Sequence, residues 1–430
     1  MALELHESLK ERLTNSLIAN LPLMEVQNGK YLTPGGRMHL FEAEAALPDH
    51  GPLRDQITAY IDDFPIVTFV SDVLQNELLD LEYNSEVSSQ KLAKIAKYGD
   101  ASTVAKRLIS DFQSLPWRYT LSVKLPSEVS ELLSTIVTDE QLSPNLRLLK
   151  ATSSFAEKYP LNAADKARQT RIHGGVSLLY PEPQEVSWTD GAVYLQVEVE
   201  GFIGPFGGST PAIYAERVLK AFLGLGIALR LFKVHSAYFP VPPSVSFYVH
   251  KASGGAWKID SKVQISADVS HTLNEIKLND LITGSSTSER KVELVDLILR
   301  EMKAVFSAGS KAEAIVLAAE WLLESYGVRD SRLSYVQSMV VLEVLLGDKA
   351  ASDEIGLGQL LRNRCAYLIG KNQEERNGLL KDFDDIYKVR SQIVHRGKAR
   401  LSFKERALFL KLRGICDRVI QREVDLLRAK

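Results

Sequence analysis

Apolar positions follow two rhythms along this chain. From about residue 289 they recur at intervals of three and four. That predicts amphipathic helices over roughly 289–308, 311–326, 331–347, 357–370, 373–396 and 402–428, stacked as a bundle. Between about 166 and 283 the rhythm changes. "GAVYLQVEVEGFI" alternates strictly and predicts a strand. "SVSFYVHK" and "WKIDSKVQISADVS" predict further strands joined by turns, while "TPAIYAERVLKAFLGLGIALRLF" predicts a helix. Residues 1–165 return mainly to helical spacing, in "RDQITAYIDDFPIVTFVSDVLQNELLDLEY" and "SSQKLAKIAKYGDASTVAKRLISDF". "WRYTLSVKL" is a strand pattern there, and "SEVSELLSTIV" opens like a capping box. The small polar stretch "LITGSSTSER" is the best linker candidate. The expected fold is therefore multidomain: a mainly helical region (1–165), an α+β domain (166–283) and an all-α bundle (289–430).

Composition adds limits. With 45% apolar and 25% charged residues the chain is ordinary globular material. It carries no apolar run long enough for a membrane span, and its first residues lack the apolar core of a signal peptide. Only Cys365 and Cys416 are present, too few for a disulfide framework, which fits a reducing, cytoplasmic setting. Net charge is −2, but unevenly spread. From Lys388 to Lys430, thirteen Lys and Arg stand against four acids, a surplus of nine. A basic tail on an acidic body suits a polyanion, although a solvated basic helix face reads the same way.

Common catalytic motifs are missing. "GFIGPFGGSTP" lacks the Lys-Ser/Thr of a phosphate loop and reads as turn glycines. "RIHGG" (171–175) has no partner nearby and reads as a loop. No H-E-x-x-H, C-x-x-C or G-x-S-x-G occurs. Arg-x(4)-His occurs three times; the copy from Arg168 to His173 ends in that "RIHGG" loop, and what remains is two copies, Arg230 to His235 and Arg390 to His395. The first runs into "SAYFPVPP", which cannot continue a helix, and reads as coincidence. The second closes a long helix inside the bundle, "YKVRSQIVHRGKA", on a stripe expected to bury Ile386, Ile393 and Val394. At about 100° per residue, His395 lies about 140° around the helix from Arg390. One straight helix cannot bring both groups onto one small target; two copies facing across a two-fold axis can. Imidazoles near neutral pKa and permanent guanidinium cations suit phosphodiester cleavage.

The last 120 or so residues resemble the HEPN superfamily, most closely its Apea-like branch. The residues that carry the likeness are "SYVQSMVVLEVLLG" (334–347), "LRNRCAYLIG" (361–370) and "DIYKVRSQIVHRG" (385–397). The resemblance implies a four- to five-helix bundle that dimerises. Its Arg-x(4–6)-His segment would form a metal-independent endoribonuclease site for single-stranded RNA at the dimer interface. By this resemblance Arg390 and His395 are the catalytic pair and Ser391 the polar position between them. Glu343 and Arg364 are supporting residues that brace Arg390 or each other. It also implies a bacterial antiviral-defence or toxin effector, with the N-terminal region sensing a trigger ligand or protein, and no cofactor. Two departures stand out: Ser391 occupies a position often held by Asn, Asp or His, and Gly397 replaces a tyrosine that is modified in some toxin systems. Lys398, Arg400, Lys404 and Arg406 follow the motif directly and are expected to contact RNA phosphates. The competing expectations are a non-catalytic HEPN module binding RNA, a nucleotide or a protein, and a structural helical oligomer joined to an enzyme within residues 1–280.

Overall fold

The computed structural model describes residues 3–81, 88–161, 187–204, 208–235, 243–285, 287–328 and 330–429. The N-terminal body is built on three helices, α1 (Glu7–Asn20), α2 (Pro65–Leu79) and α3 (Ala101–Gln113). Asp100 caps α3 by accepting from the Ser102 and Thr103 amides, and Pro65 sits in the first turn of α2, where its missing N–H costs nothing. These helices bury Leu13, Leu17, Phe69, Leu74, Leu108 and Phe112 in a core of their own. Helical spacing before Ala101 does not become helix: Ser89–Lys91 forms a short strand and the following residues make tight 3-10 turns.

A six-stranded antiparallel sheet follows: β1 (Trp117–Lys124), β2 (Asp139–Ser143), β3 (Leu146–Lys150), β4 (Val193–Gly201), β5 (Ser246–Ser253) and β6 (Ala256–Gln264). Its strand order is β6-β5-β1-β4-β3-β2. β1 lies between β4 and β5, so strands from both sides of the expected division at residue 165 share one sheet. On one face the sheet packs against α4 (Thr210–Ala228). Phe155, Tyr159, Trp188 and Tyr194 form a separate aromatic cluster that also includes sheet residues. Burial on both faces gives the middle of β1 and the start of β4 their almost unbroken buried runs.

The C-terminal region is helical: α5 (Ser288–Ser307), α6 (Glu313–Gly327), α7 (Ser331–Leu346), α8 (Leu357–Ile369), α9 (Gln373–Arg396) and α10 (Phe403–Arg428), with a short helix at Lys349–Ile355. Each helical rhythm in the sequence becomes a helix within a few residues of its expected ends. The caps explain the boundaries. Thr287, Asp330 and Asn372 cap α5, α7 and α9, and Ser402 and Glu405 form a reciprocal capping box on α10. Gly397 ends α9 in a left-handed conformation (φ +61°), its N–H returning to the Gln392 carbonyl.

No packing gap separates sheet and bundle. One continuous core runs from Tyr119 and Leu121 through Phe222 and Leu225 to Leu322, Phe383 and Val419. The expected linker contributes to it, since Ile282 is buried there in the short helix Asp280–Thr283. At the α4–α6 crossing a Cβ on Gly224 would fall 1.8 Å from the Ala319 carbonyl oxygen, so only glycine permits this approach. Among the described residues no helix is long and apolar enough to cross a membrane.

Candidate functional site at the end of α9

α9 packs against α8 and α10 through Leu379, Phe383, Ile386 and Val389. The Tyr335 hydroxyl of α7 donates to the Ile386 carbonyl at 3.0 Å, in the interior. Beyond Val389 no residue of the helix is fully buried. Ile393 is half-buried and Val394 is 46% exposed, against the expectation that both belong to the packed stripe. Ile393 still packs against the edge of the core, and from Val394 to Arg396 the helix is exposed, so helical phase alone no longer decides burial there.

Arg390 stands where the core ends. Its Nη2 lies 3.3 Å from Oε1 of Glu343 on α7, and its guanidinium sits 5.9 Å from the Tyr387 ring. Its Nε is buried and has no hydrogen-bond partner among the described residues. The ion pair is half-buried on both sides, which holds the guanidinium in place without removing it from solvent. Ser391 is half-buried beside it and makes no hydrogen bond among the described residues. His395 is exposed in the last turn, with no side-chain partner among the described residues. Glu343 is thus the acid placed against Arg390.

Arg364 does not join them. It donates from Nη1 to the Leu346 carbonyl at 2.9 Å and lies 3.7 Å from Asp348, so it ties off the C-terminal end of α7. An arginine there meets both the last free carbonyls and the negative end of the helix dipole. Asp348 caps the next short helix; the Ala351 amide, and then Arg364, hold its carboxyl below the usual range.

The basic residues after Gly397 divide as well. Lys398 is engaged: its ammonium is 2.8 Å from Glu405 and 3.0 Å from the Gln392 amide oxygen, and its carbonyl accepts from Arg332 at 3.3 Å. Arg400, Lys404 and Arg406 are exposed and make no ion pair among the described residues. Lys398, Arg400, Ser402, Phe403, Glu405 and Arg406 wall an open hollow of about 430 Å³. Phe403 is the residue the sequence reading missed, although a signal existed. It follows the N-cap yet lies about 120–180° around α10 from Phe409 and Leu412, out of phase with the buried stripe.

The Arg230–His235 copy has a different backbone, and the Arg168–His173 copy lies outside the described residues. α4 ends before Arg230, which takes a left-handed conformation (φ +63°). His235 follows the strand Phe232–Val234, and its amide donates to the Glu275 carbonyl. "RIHGG" lies outside the described residues, as do residues 205–207 of the glycine-rich stretch. There Gly201 and Gly208 both have positive φ, and a Cβ on Gly201 would meet the Tyr60 carbonyl, as turn glycines require. No group of three His, Cys, Asp or Glu among the described residues is placed to hold a metal ion.

Comparison with models of known families, with curated proteins and with solved structures finds no match to this chain.

Proposed function

We propose that the chain is a HEPN-type endoribonuclease that cleaves single-stranded RNA as a homodimer through the C-terminal bundle. Arg390 and His395 carry the chemistry, and Ser391 helps position the scissile phosphate. In this reading the protein is a bacterial defence or toxin effector, and the N-terminal body and sheet sense its trigger. The observation that carries the proposal is the end of α9. A fixed cation and an unengaged imidazole stand on the last two turns of one helix, outside the core and next to three exposed basic residues.

The chemistry follows from the residue types. An imidazole takes the proton of a ribose 2′-hydroxyl, which attacks the adjacent phosphorus. Arg390 stabilises the doubly charged phosphorane. The 5′-oxygen leaves and is protonated by the imidazole of the second copy. The products are a 2′,3′-cyclic phosphate and a 5′-hydroxyl. DNA is inert because it lacks the nucleophile. Mass spectrometry of the cut ends, with EDTA present, tests the scheme; a 5′-phosphate product or cleavage of DNA overturns it.

The Arg390–Glu343 pair also favours a second reading, in which the arginine is kept for packing and the bundle binds RNA, a nucleotide or a protein without cutting. A purified protein that binds labelled RNA and leaves it intact would select that reading.

A further inference from the structure

We infer that Phe403 is a base-stacking platform, and that the hollow around it holds one nucleotide of a single strand next to the Arg390–His395 segment. The inference rests on the nucleic-acid reading of the preceding subsection and adds to it a residue and a mode of contact. Phe403 is 88% exposed, the most exposed of the large apolar side chains among the described residues. It makes no ring contact with another aromatic or with a cation among the described residues. A single exposed ring is ordinary by itself and gains nothing from folding, so the argument for an occupant rests on what surrounds it.

Its surroundings select that occupant. Arg406 lies one turn along α10 from Phe403, on the same helix face. Arg400 approaches from the loop, and neither arginine is neutralised by an acid among the described residues. The one acid in the wall, Glu405, is already engaged by Lys398 and the Ser402 amide. A flat apolar ring and two unpaired guanidinium groups in one wall fit a base and its flanking phosphates, the combination by which single strands are held. A hollow of about 430 Å³ falls within the range of small-ligand sites. Leu410, two turns further along α10, is also exposed, so a second copy is the competing occupant. Seated face to face there, it would set Arg400 and Arg406 against the same cations of its partner, which argues for an anion instead.

Because stacking does not read the sugar, the platform holds single-stranded DNA as well as RNA. This separates the inference from the cleavage scheme. The test is fluorescence anisotropy with the full chain and a labelled single-stranded DNA that cannot be cut, repeated with the same RNA in a His395→Ala background. Phe403→Ala should weaken both on the order of tenfold to a hundredfold. Phe403→Trp should restore or exceed the parent affinity, and Phe403→Leu, apolar but not aromatic, should not. An oligonucleotide scanned with one abasic position should show a single position that loses the benefit of Phe403. Equal affinity of Phe403→Ala and parent, or full rescue by leucine, would overturn the platform even if RNA is cut. Loss of a dimer in Phe403→Ala by sedimentation, with binding per subunit unchanged, would assign the face to the second copy and also overturn it. Stacking on DNA without any RNA cleavage would leave the platform standing and remove the nuclease reading.

Discussion

Two copies of the Arg-x(4)-His spacing lie among the described residues, and they differ in everything except spacing. Arg390 and His395 lie on one unbroken helix, with the arginine fixed by Glu343 of α7. Arg230 and His235 are divided by a helix end, a left-handed residue and a short strand. In the first pair the backbone fixes the angle between the side chains, and the bundle fixes where both stand. In the second, neither side chain inherits a position from a common element, and the arginine lies near the Asp417 carboxyl of α10. A motif of five steps carries chemical meaning only through the backbone that spans them.

The largest expected effect sharpens that contrast directly. In an RNA cleavage assay, His395→Ala and Arg390→Ala should each lower the rate by roughly two to four orders of magnitude. Arg230→Ala and His235→Ala should stay close to the parent. Equal losses in both pairs would mean that spacing, and not the continuous helix, had been the right guide.

Much of this contrast was legible in the sequence, for a physical reason. The helices of the bundle are stabilised by local spacing and by caps. The Ser402–Glu405 box, the Asn372 cap and the Gly397 stop can each be read from a few neighbouring residues. The sheet obeys a longer-range logic. β1 pairs with β4 along their whole length although 68 residues separate them, and no local pattern announces that partner. The β2–β3 hairpin was missed because Asp139–Ser143 is an edge strand with only Leu142 buried, so its polar composition hides its state. At the candidate site, the Glu343–Arg390 contact was one of two alternatives that the resemblance implied, and the sequence did not choose between them. The Lys398–Glu405 pair and the Arg364–Asp348 contact could not be read from it at all, because each depends on how two loops fold back. Ile393 and Val394 kept the phase of the stripe but not its burial, since the helix outruns the core.

The next effect concerns what holds Arg390. Both members of the Glu343–Arg390 pair are half-buried and 3.3 Å apart. Removing the acid should therefore cost less than breaking a fully buried pair and more than losing a surface one, about 1–2 kcal/mol. Glu343→Ala should lower the denaturant midpoint by that amount and reduce cleavage with it, while Glu343→Gln should recover part of the stability. An unchanged midpoint with full activity would show that the arginine needs no brace.

The Arg230 copy should reveal itself through pH instead. Burial pushes the Asp417 carboxyl up to about 7, although Arg230 and Arg413 pull it down. Its Oδ1 is buried without a hydrogen-bond partner among the described residues. A carboxyl whose folded pKa is raised favours the fold in its protonated form. Its contribution is present in acid and is lost as pH rises from its ordinary value near 3.8 to about 7. Compared with Asp417→Asn, the parent should thus lose stability over that window and change no further above it. At pH 7.5 Asp417→Asn should be the more stable by about 1–3 kcal/mol. Arg230→Ala should widen the difference while leaving cleavage alone.

The smallest effect distinguishes the basic residues that the sequence grouped together. Each cation that neutralises a single-strand phosphate adds about 0.7 to the slope of log affinity against log salt. Lys404 is exposed and unpaired among the described residues, so Lys404→Ala should lower the slope by about that amount and weaken binding uniformly across sequences. Lys398 is already neutralised by Glu405 and held by Gln392. To meet a phosphate it would have to abandon both, so Lys398→Ala should leave the slope nearly unchanged while loosening the turn that follows Gly397. Equal slope changes for the two lysines would show that RNA displaces Glu405 and that the loop rearranges on binding. A sequence-selective loss in Lys404→Ala would show that this residue reads a base edge and not the backbone.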